Sequence, residues 1–449
     1  MSRNGTYSSY GSYRGGRRRK RSRKGGNLVA LLLIFLVAAG MGTTAFHISR
    51  NTLGDRPNAD DMAQMLTPAV SPTQMAQAEP TKEPTPTPEP EPTVDPNATP
   101  TPTPIPRWDD NYLIDFVDNR EKIDVKGAYV GLNLNTGASL KYWLNLADTT
   151  ELNAVVIDVK ADSGRITYQM ENAALQATGA CSSTYSDMKG LLATLKEHGI
   201  YTIARVVCFS DPYIGTVYPE YQLKTVDGAV YKDAKNNAWT NPYNEDVWKY
   251  IVDICEQAVL DGFDEICFDY IRVSTYYVGT IDFGEKAETM TRSEAITAFT
   301  KYACNRLKPL GAKVSASVYG AIIRSTIDST NVGQDYVEMS RYLDYICPMV
   351  YPSHYARGYA GLDNPDKSPY ELLKLEMDAS VKKLAVLAEE QDTYADVRPW
   401  LQAFTYRTSN PYTAAMIRKQ VQATYDVGYT GFMYWNAGAS YVDGCFLPE

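Results

Sequence analysis

Asp269 closes the strand in the run Asp261–Ser274, DGFDEICFDYIRVS, and it is the carboxylate around which the rest of the chain is read. Glu265, Cys267 and Asp269 alternate onto one side of a short apolar strand, with Ile266 and Phe268 on the other. Gly262 is a helix stop just ahead of it, and Tyr270 and Arg272 follow at once. A carboxylate at the carboxyl end of a parallel barrel strand points into the mouth where such barrels carry their sites. The structural alternative is a pair with Arg272 or a cap on the next turn. Other strand-like runs end in the same kind of residue. VIDVKADSGRITY offers Lys160 and Asp162, and VVCFSDP offers Asp211. PMVYPSHY offers Tyr351, His354 and Tyr355; later runs offer Gln402, Tyr406, Trp435 and Asn436. Several carboxylates with aromatic faces suit cleavage of a glycosidic bond, which needs one carboxyl group as acid and another as nucleophile or base. Tyr and Trp faces suit sugar contacts.

Each candidate has a structural alternative. Asp162 precedes Ser163–Gly164 and Asp211 precedes Pro212, so both could simply form turns. Lys160 falls on the side of Asp158, pointing into the barrel, where an ion pair with Asp158 is the alternative. Arg205 and Glu265 share an inward parity on neighbouring strands and are expected to pair lower in the barrel. Trp435 would stack on a sugar ring or cap the core. His354 reads as a hydrogen-bonding group. With three His in the chain, a metal site built on several His is nearly excluded. The expectation is therefore Asp269 as nucleophile or charge stabiliser and Asp162 as general acid, with Asp211 in reserve. Substrate contacts are expected from Lys160, Arg272, Tyr351, His354, Tyr355, Gln402, Trp435 and Asn436, with no metal and no cofactor.

The elements that must position these residues repeat one grammar. Four helix ends run into strands through a single Gly, at Gly199, Gly262, Gly311 and Gly428. Three helix starts read cap, Pro, Tyr, at Asn241–Pro242, Ser368–Pro369 and Asn410–Pro411. Eight strand candidates lie between: Gly127–Leu132, Ala154–Val159, Tyr201–Phe209, Glu265–Asp269, Lys313–Val318, Tyr345–Val350, Arg398–Ala403 and Thr430–Trp435. Eight strands alternating with helices predict a (β/α)8 TIM barrel over residues 108–449. Residues 111–121 are expected to supply the missing eighth helix. The competing doubly wound sheet lacks a Gly-rich phosphate loop after its first strand.

The amino-terminal quarter reads differently. Residues 1–27 form a basic tail expected to be disordered, with seven basic residues among the eight from Arg17 to Lys24. Leu28–Phe46 is uncharged over nineteen residues, about enough to span a bilayer. A basic flank before an apolar span predicts a single-pass anchor in the cell membrane, amino terminus inside and the carboxyl-terminal domain extracellular. A cleaved signal peptide is the alternative. Residues 47–107 read as a stalk, with eleven prolines between Pro80 and Pro106; in polyproline II that stretch reaches on the order of 80 Å. Residues 1–107 hold 13 Lys+Arg and 8 Asp+Glu, leaving 31 and 45 for the remainder, a net of −14. So acidic a domain repels polyanions and argues against nucleic acid as a partner. Seven scattered Cys without a CxxC spacing argue against a disulfide framework.

Four motifs in order, VIDVKADSGRITY, FDEICFDYIRVS, DYICPMVYPSHY and RPWLQAF, resemble the bacterial "putative glycosyl hydrolase domain" family over about residues 125–440. That family is similar to alpha-amylase-like and related barrel hydrolases. The resemblance implies a barrel of glycosidase ancestry. By position Asp269 matches the strand-four nucleophile of amylase-like barrels. Those barrels carry their acid, a Glu, after strand five, where this chain has Ser317–Val318–Tyr319. The expected activity is hydrolysis of a cell-wall or environmental polysaccharide. The alternative is a carbohydrate-binding barrel with no competent acid pair. A glycosyltransferase lacks a DxD motif in context, and a metal-dependent deacetylase lacks the His.

Overall fold

The computed structural model describes residues 120–276 and 278–448. The basic tail, the apolar span Leu28–Phe46, the Pro-rich stretch and most of the expected helix 111–121 lie outside the described residues; Arg120 and Glu121 are not helical. Among the described residues no helix is long and apolar enough to cross a membrane.

Eight strands form the wall: β1 Lys126–Gly131, β2 Ala154–Lys160, β3 Tyr201–Val207, β4 Glu265–Asp269, β5 Lys313–Tyr319, β6 Tyr345–Val350, β7 Trp400–Gln402 and β8 Phe432–Trp435. Each pairs in parallel with its neighbour in chain order, and β1 pairs with both β2 and β8, so the sheet closes on itself. Helices cover the outside: α1 Gly137–Thr149, α2 Met188–Glu197, α3 Glu245–Asp261, α4 Arg292–Leu307, two short turns of helix over 326–340, α5 Pro369–Glu390 and α6 Ala414–Tyr425. Two further strands, Ile166–Tyr168 and Cys181–Tyr185, branch from the end of β2. This is the (β/α)8 architecture the period of the sequence predicts.

Strand alternation divides the core. One apolar cluster fills the barrel interior, with Val156, Ile203, Cys267, Cys347, Trp400 and Met433. The other lies between sheet and helices and includes Ala204, Val206, Ile266 and Phe268. All seven Cys are free thiols.

The Gly stops hold. Gly262 follows α3 at φ +118°, a conformation closed to side-chain-bearing residues, and its N–H returns to the carbonyls of Ala258 and Val259. The helix starts fare less well. Pro369 opens α5 as expected. After Asn241–Pro242 the helix begins only at Glu245, capped by Asn244, and after Asn410–Pro411 it begins at Ala414, capped by Thr413. The two Asn side chains are engaged elsewhere. Asn241 accepts from Tyr243 N and donates to Phe283 O, while Asn410 donates to the backbone and carboxylate of Asp366.

The expected pair of Arg205 with Glu265 does not form. In the β3–β4 register Glu265 lies opposite Ile203, while Arg205 lies opposite Cys267, two residues further toward the mouth. Glu265 pairs instead with Arg398, which lies over the Tyr345 ring at 4.1 Å. Ser315 and Tyr201 also donate to the Glu265 carboxylate. An ion pair, not a hydrocarbon layer, thus closes the lower barrel.

Candidate functional site

A cavity of about 710 Å³ opens at the carboxyl ends of the strands. Seven of the eight strands contribute a residue of their own: Tyr129 from β1, Arg205 from β3, Asp269 from β4, Ser317 and Tyr319 from β5, Met349 from β6, Trp400 from β7 and Trp435 from β8. The loop after β2 contributes Asp162, and the loop after β6 contributes Tyr351, His354 and Tyr355. The parity that places Cys267 in the interior turns Asp269 the same way.

The Arg205 guanidinium organises the charges. Its Nε donates to Asp269 Oδ2 at 2.8 Å, and its Nη2 lies 2.7 Å from the same oxygen. Its Nη1 donates to Asp158 Oδ1 at 2.8 Å and Asp162 Oδ2 at 3.1 Å. Burial alone would pull the Arg205 pKa down, but Asp269, Asp158 and Asp162 together hold it well above the usual arginine value. Asp158 also accepts from Tyr129 Oη at 2.8 Å. The Tyr129 ring stacks at 4.3 Å on Trp435, so the charged network rests against an aromatic wall.

Asp269 and Asp162 differ in how they are held. Asp269 is only 12% exposed; its Oδ1 accepts from Tyr270 N at 2.7 Å, so both its oxygens are engaged. Tyr270 takes φ +50°, the left-handed region, which costs a side-chain-bearing residue about 1–3 kcal/mol. That turn brings its N–H onto Asp269 and its ring into the cavity. Asp162 sits in the loop after β2, 59% exposed, with Arg205 as its ion-pair partner.

Several expected contacts lie elsewhere. Lys160 is fully buried, with Nζ 2.7 Å from Asp211 Oδ2 and 2.7 Å from Val207 O. The cause is a bulge: Asp158 pairs with Arg205, but Lys160 pairs with Val206, so two steps on β2 match one on β3. Lys160 therefore leaves the interior, and its charge is felt by Cys208 and by Cys255 of α3. Asp158, the alternative ion-pair partner for Lys160, is taken by Arg205. Asp211, held in reserve as an acid, is 1% exposed, and its Oδ1 accepts from Tyr213 N and Ile214 N. It is the anchor of Lys160 and lines no part of the cavity. Gln402 is buried, bridging Ser353 N and Phe404 O, and Asn436 binds Ala403 O and Ser440 O. Both shape the loops at the rim, and neither lines the cavity. Of the others, Arg272, Tyr351, His354, Tyr355 and Trp435 do line it. Burial lowers the His354 pKa below the ordinary histidine value, so the ring is neutral at pH 7. Among the described residues no group of acids, His and Cys could hold a metal ion.

Sequence reasoning missed Arg205 as the hub, and Asp158 and Tyr129 as its supports. The usable signal was inward parity on adjacent strands, which Tyr129, Asp158 and Arg205 share with Asp269.

Behind Tyr355 lies a buried acid on α5. Glu376 accepts from Tyr359 Oη at 2.8 Å, and the Tyr359 ring packs edge-on against Tyr355 at 4.8 Å. Burial pushes the Glu376 carboxyl from 4.5 up to about 7. Between those values the folded chain keeps a proton that the unfolded chain has lost. Stability is therefore full below the lower value and falls as pH rises through the upper, by roughly 3 kcal/mol in all. Denaturant titrations from pH 5 to 8 are expected to show this decline, and the Glu376→Gln variant is expected to flatten it.

A family model described as "Putative glycosyl hydrolase domain" matches residues 127–441. Two of the solved structures similar to this chain illustrate the likeness. A hypothetical protein from Ruminiclostridium thermocellum shares 35% identity over 42% of this chain and 96% of its own, with a TM-score of 0.39. The glycoside hydrolase domain of PgaB (BpsB) from Bordetella bronchiseptica shares 13% identity over 71% of this chain and 95% of its own, with a TM-score of 0.52, which is a likeness of fold. No curated protein matches.

Proposed function

The chain belongs to the "Putative glycosyl hydrolase domain" family, and from that membership we propose that it hydrolyses a polysaccharide, using Asp269 and Asp162 as its carboxyl pair. The observation that carries the reading is that both line one cavity and share one guanidinium, Arg205. Asp269, with donors on both oxygens, is fixed in place at the mouth, where a carboxylate would face a developing oxocarbenium charge. Asp162, on a loop and more than half exposed, is the more accessible of the two and is the one assigned to protonate a leaving oxygen. Trp435, Tyr351 and Tyr319 offer faces for sugar rings. Release of new reducing ends from a panel of polysaccharides tests the reading.

A second reading has one observation in its favour. Asp162 and Asp269 are the only carboxylates lining the cavity among the described residues, and both are tied to the same cation. β5 ends at Tyr319 with no acid. A barrel that binds glycans and cleaves none would fit this arrangement, and binding without release across the panel would favour it.

The uncharged span Leu28–Phe46 behind a basic flank supports a membrane anchor with the barrel outside the cell. Protease added to intact cells is then expected to release the barrel by cutting the Pro-rich stretch. Release only after lysis would overturn that topology.

A further inference from the structure

Two cations line the cavity, and their situations differ. Arg205 is matched by Asp158, Asp162 and Asp269. Arg272, three residues beyond Asp269, has no carboxylate partner among the described residues. Its Nη1 donates to Val273 O at 2.9 Å, and its guanidinium lies 4.9 Å from the Trp239 ring centre, 5.2 Å from Tyr270 and 4.8 Å from Tyr319. Three rings crowd the guanidinium and remove part of its hydration, yet supply no counter-charge. A partly desolvated guanidinium at a cavity wall, held by three rings and one backbone carbonyl, is suited to a bidentate anion. The remaining basic side chain on the cavity, His354, is uncharged at neutral pH.

We propose that Arg272 is a specificity-determining residue that pairs with a carboxylate on the sugar bound in this cavity, so that the substrate is an acidic glycan. The inference rests on the cavity being the glycan site of the proposed hydrolase, and it names the class of glycan. A uronic acid and a lactyl-bearing amino sugar present the same chemistry, a carboxylate on a pyranose ring.

The test uses matched probes on the full chain. Oligogalacturonides are compared with their fully methyl-esterified forms, and peptide-free peptidoglycan strands with their methyl esters, by calorimetry at pH 7. The free acid of at least one pair is expected to bind about ten- to hundred-fold more tightly than its ester, the worth of one charge-assisted bidentate contact. Which pair responds identifies the source of the carboxylate. Arg272→Gln is expected to bring acid and ester within about twofold, while Arg272→Lys retains part of the preference. Unchanged thermal unfolding of both variants excludes a folding defect. Equal binding of acid and ester by the unaltered chain, binding of neither probe pair, or a preference that survives in Arg272→Gln would overturn the proposal. Cleavage of neutral glycans without any acid preference would sink this inference and leave the hydrolase reading standing. An Arg272-dependent preference with no cleavage would do the reverse.

Discussion

Replacing Asp269 by Asn is expected to lower turnover of a cleaved glycan roughly a thousandfold or more while glycan binding persists. The substitution keeps the shape and removes the charge. Asp269 receives Arg205 on one oxygen and Tyr270 N on the other. An amide must turn its NH2 toward one of those donors, so the variant also loses a favourable contact, a cost of about 1–3 kcal/mol. Thermal unfolding separates that structural loss from the kinetic one: a folded variant with lost turnover and retained affinity is the expected result. Turnover at the unaltered rate would remove Asp269 from the chemistry. Asp162→Asn offers a second readout. An acid is needed most where the leaving group is poor, so aryl glycosides with good leaving groups are expected to suffer far less than natural glycans. Equal loss on both substrates would count against Asp162 as the acid.

The barrel was legible in the sequence because each of its signals is local. Short apolar runs marked every wall strand, and Gly after a helix marked the turn back into the sheet. The inward face of Asp269 followed from counting along β4 alone. What the sequence concealed depends on relations between strands. The bulge between Asp158 and Lys160 leaves no mark in composition, yet it reverses the side to which Lys160 points. The partner of Arg205 was mistaken because adjacency was inferred without register; a two-residue offset puts Glu265 opposite Ile203 and leaves Arg205 level with the mouth. Asn241 and Asn410 carry the signature of a cap, but each side-chain amide donates to a residue more than forty positions away, Phe283 and Asp366. Arg398, the true partner of Glu265, lies 133 residues along the chain.

Lys160→Met is expected to cost about 3–5 kcal/mol of stability, the price of leaving a buried charge without its partner. Lys160 and Asp211 are 0% and 1% exposed, and their closest approach is 2.7 Å. The Met stem replaces the hydrocarbon of Lys160 with little change in volume, so the loss reports the charge and not a cavity. Asp211 cannot relax outward, because its Oδ1 is fixed by the N–H groups of Tyr213 and Ile214. Removing that charge as well gives the decisive comparison. Asp211→Asn keeps the accepting oxygen and discards the charge, so Lys160→Met combined with Asp211→Asn is expected to regain part of what Lys160→Met loses. Denaturant unfolding of the two single variants and the double variant measures the coupling. Were the pair catalytic, the single variants would lose turnover in proportion to the chemistry and not to the fraction unfolded. The expected pattern is instead a lowered unfolding midpoint with near-normal turnover per folded molecule below it, because neither side chain lines the cavity in which Asp269 and Asp162 meet.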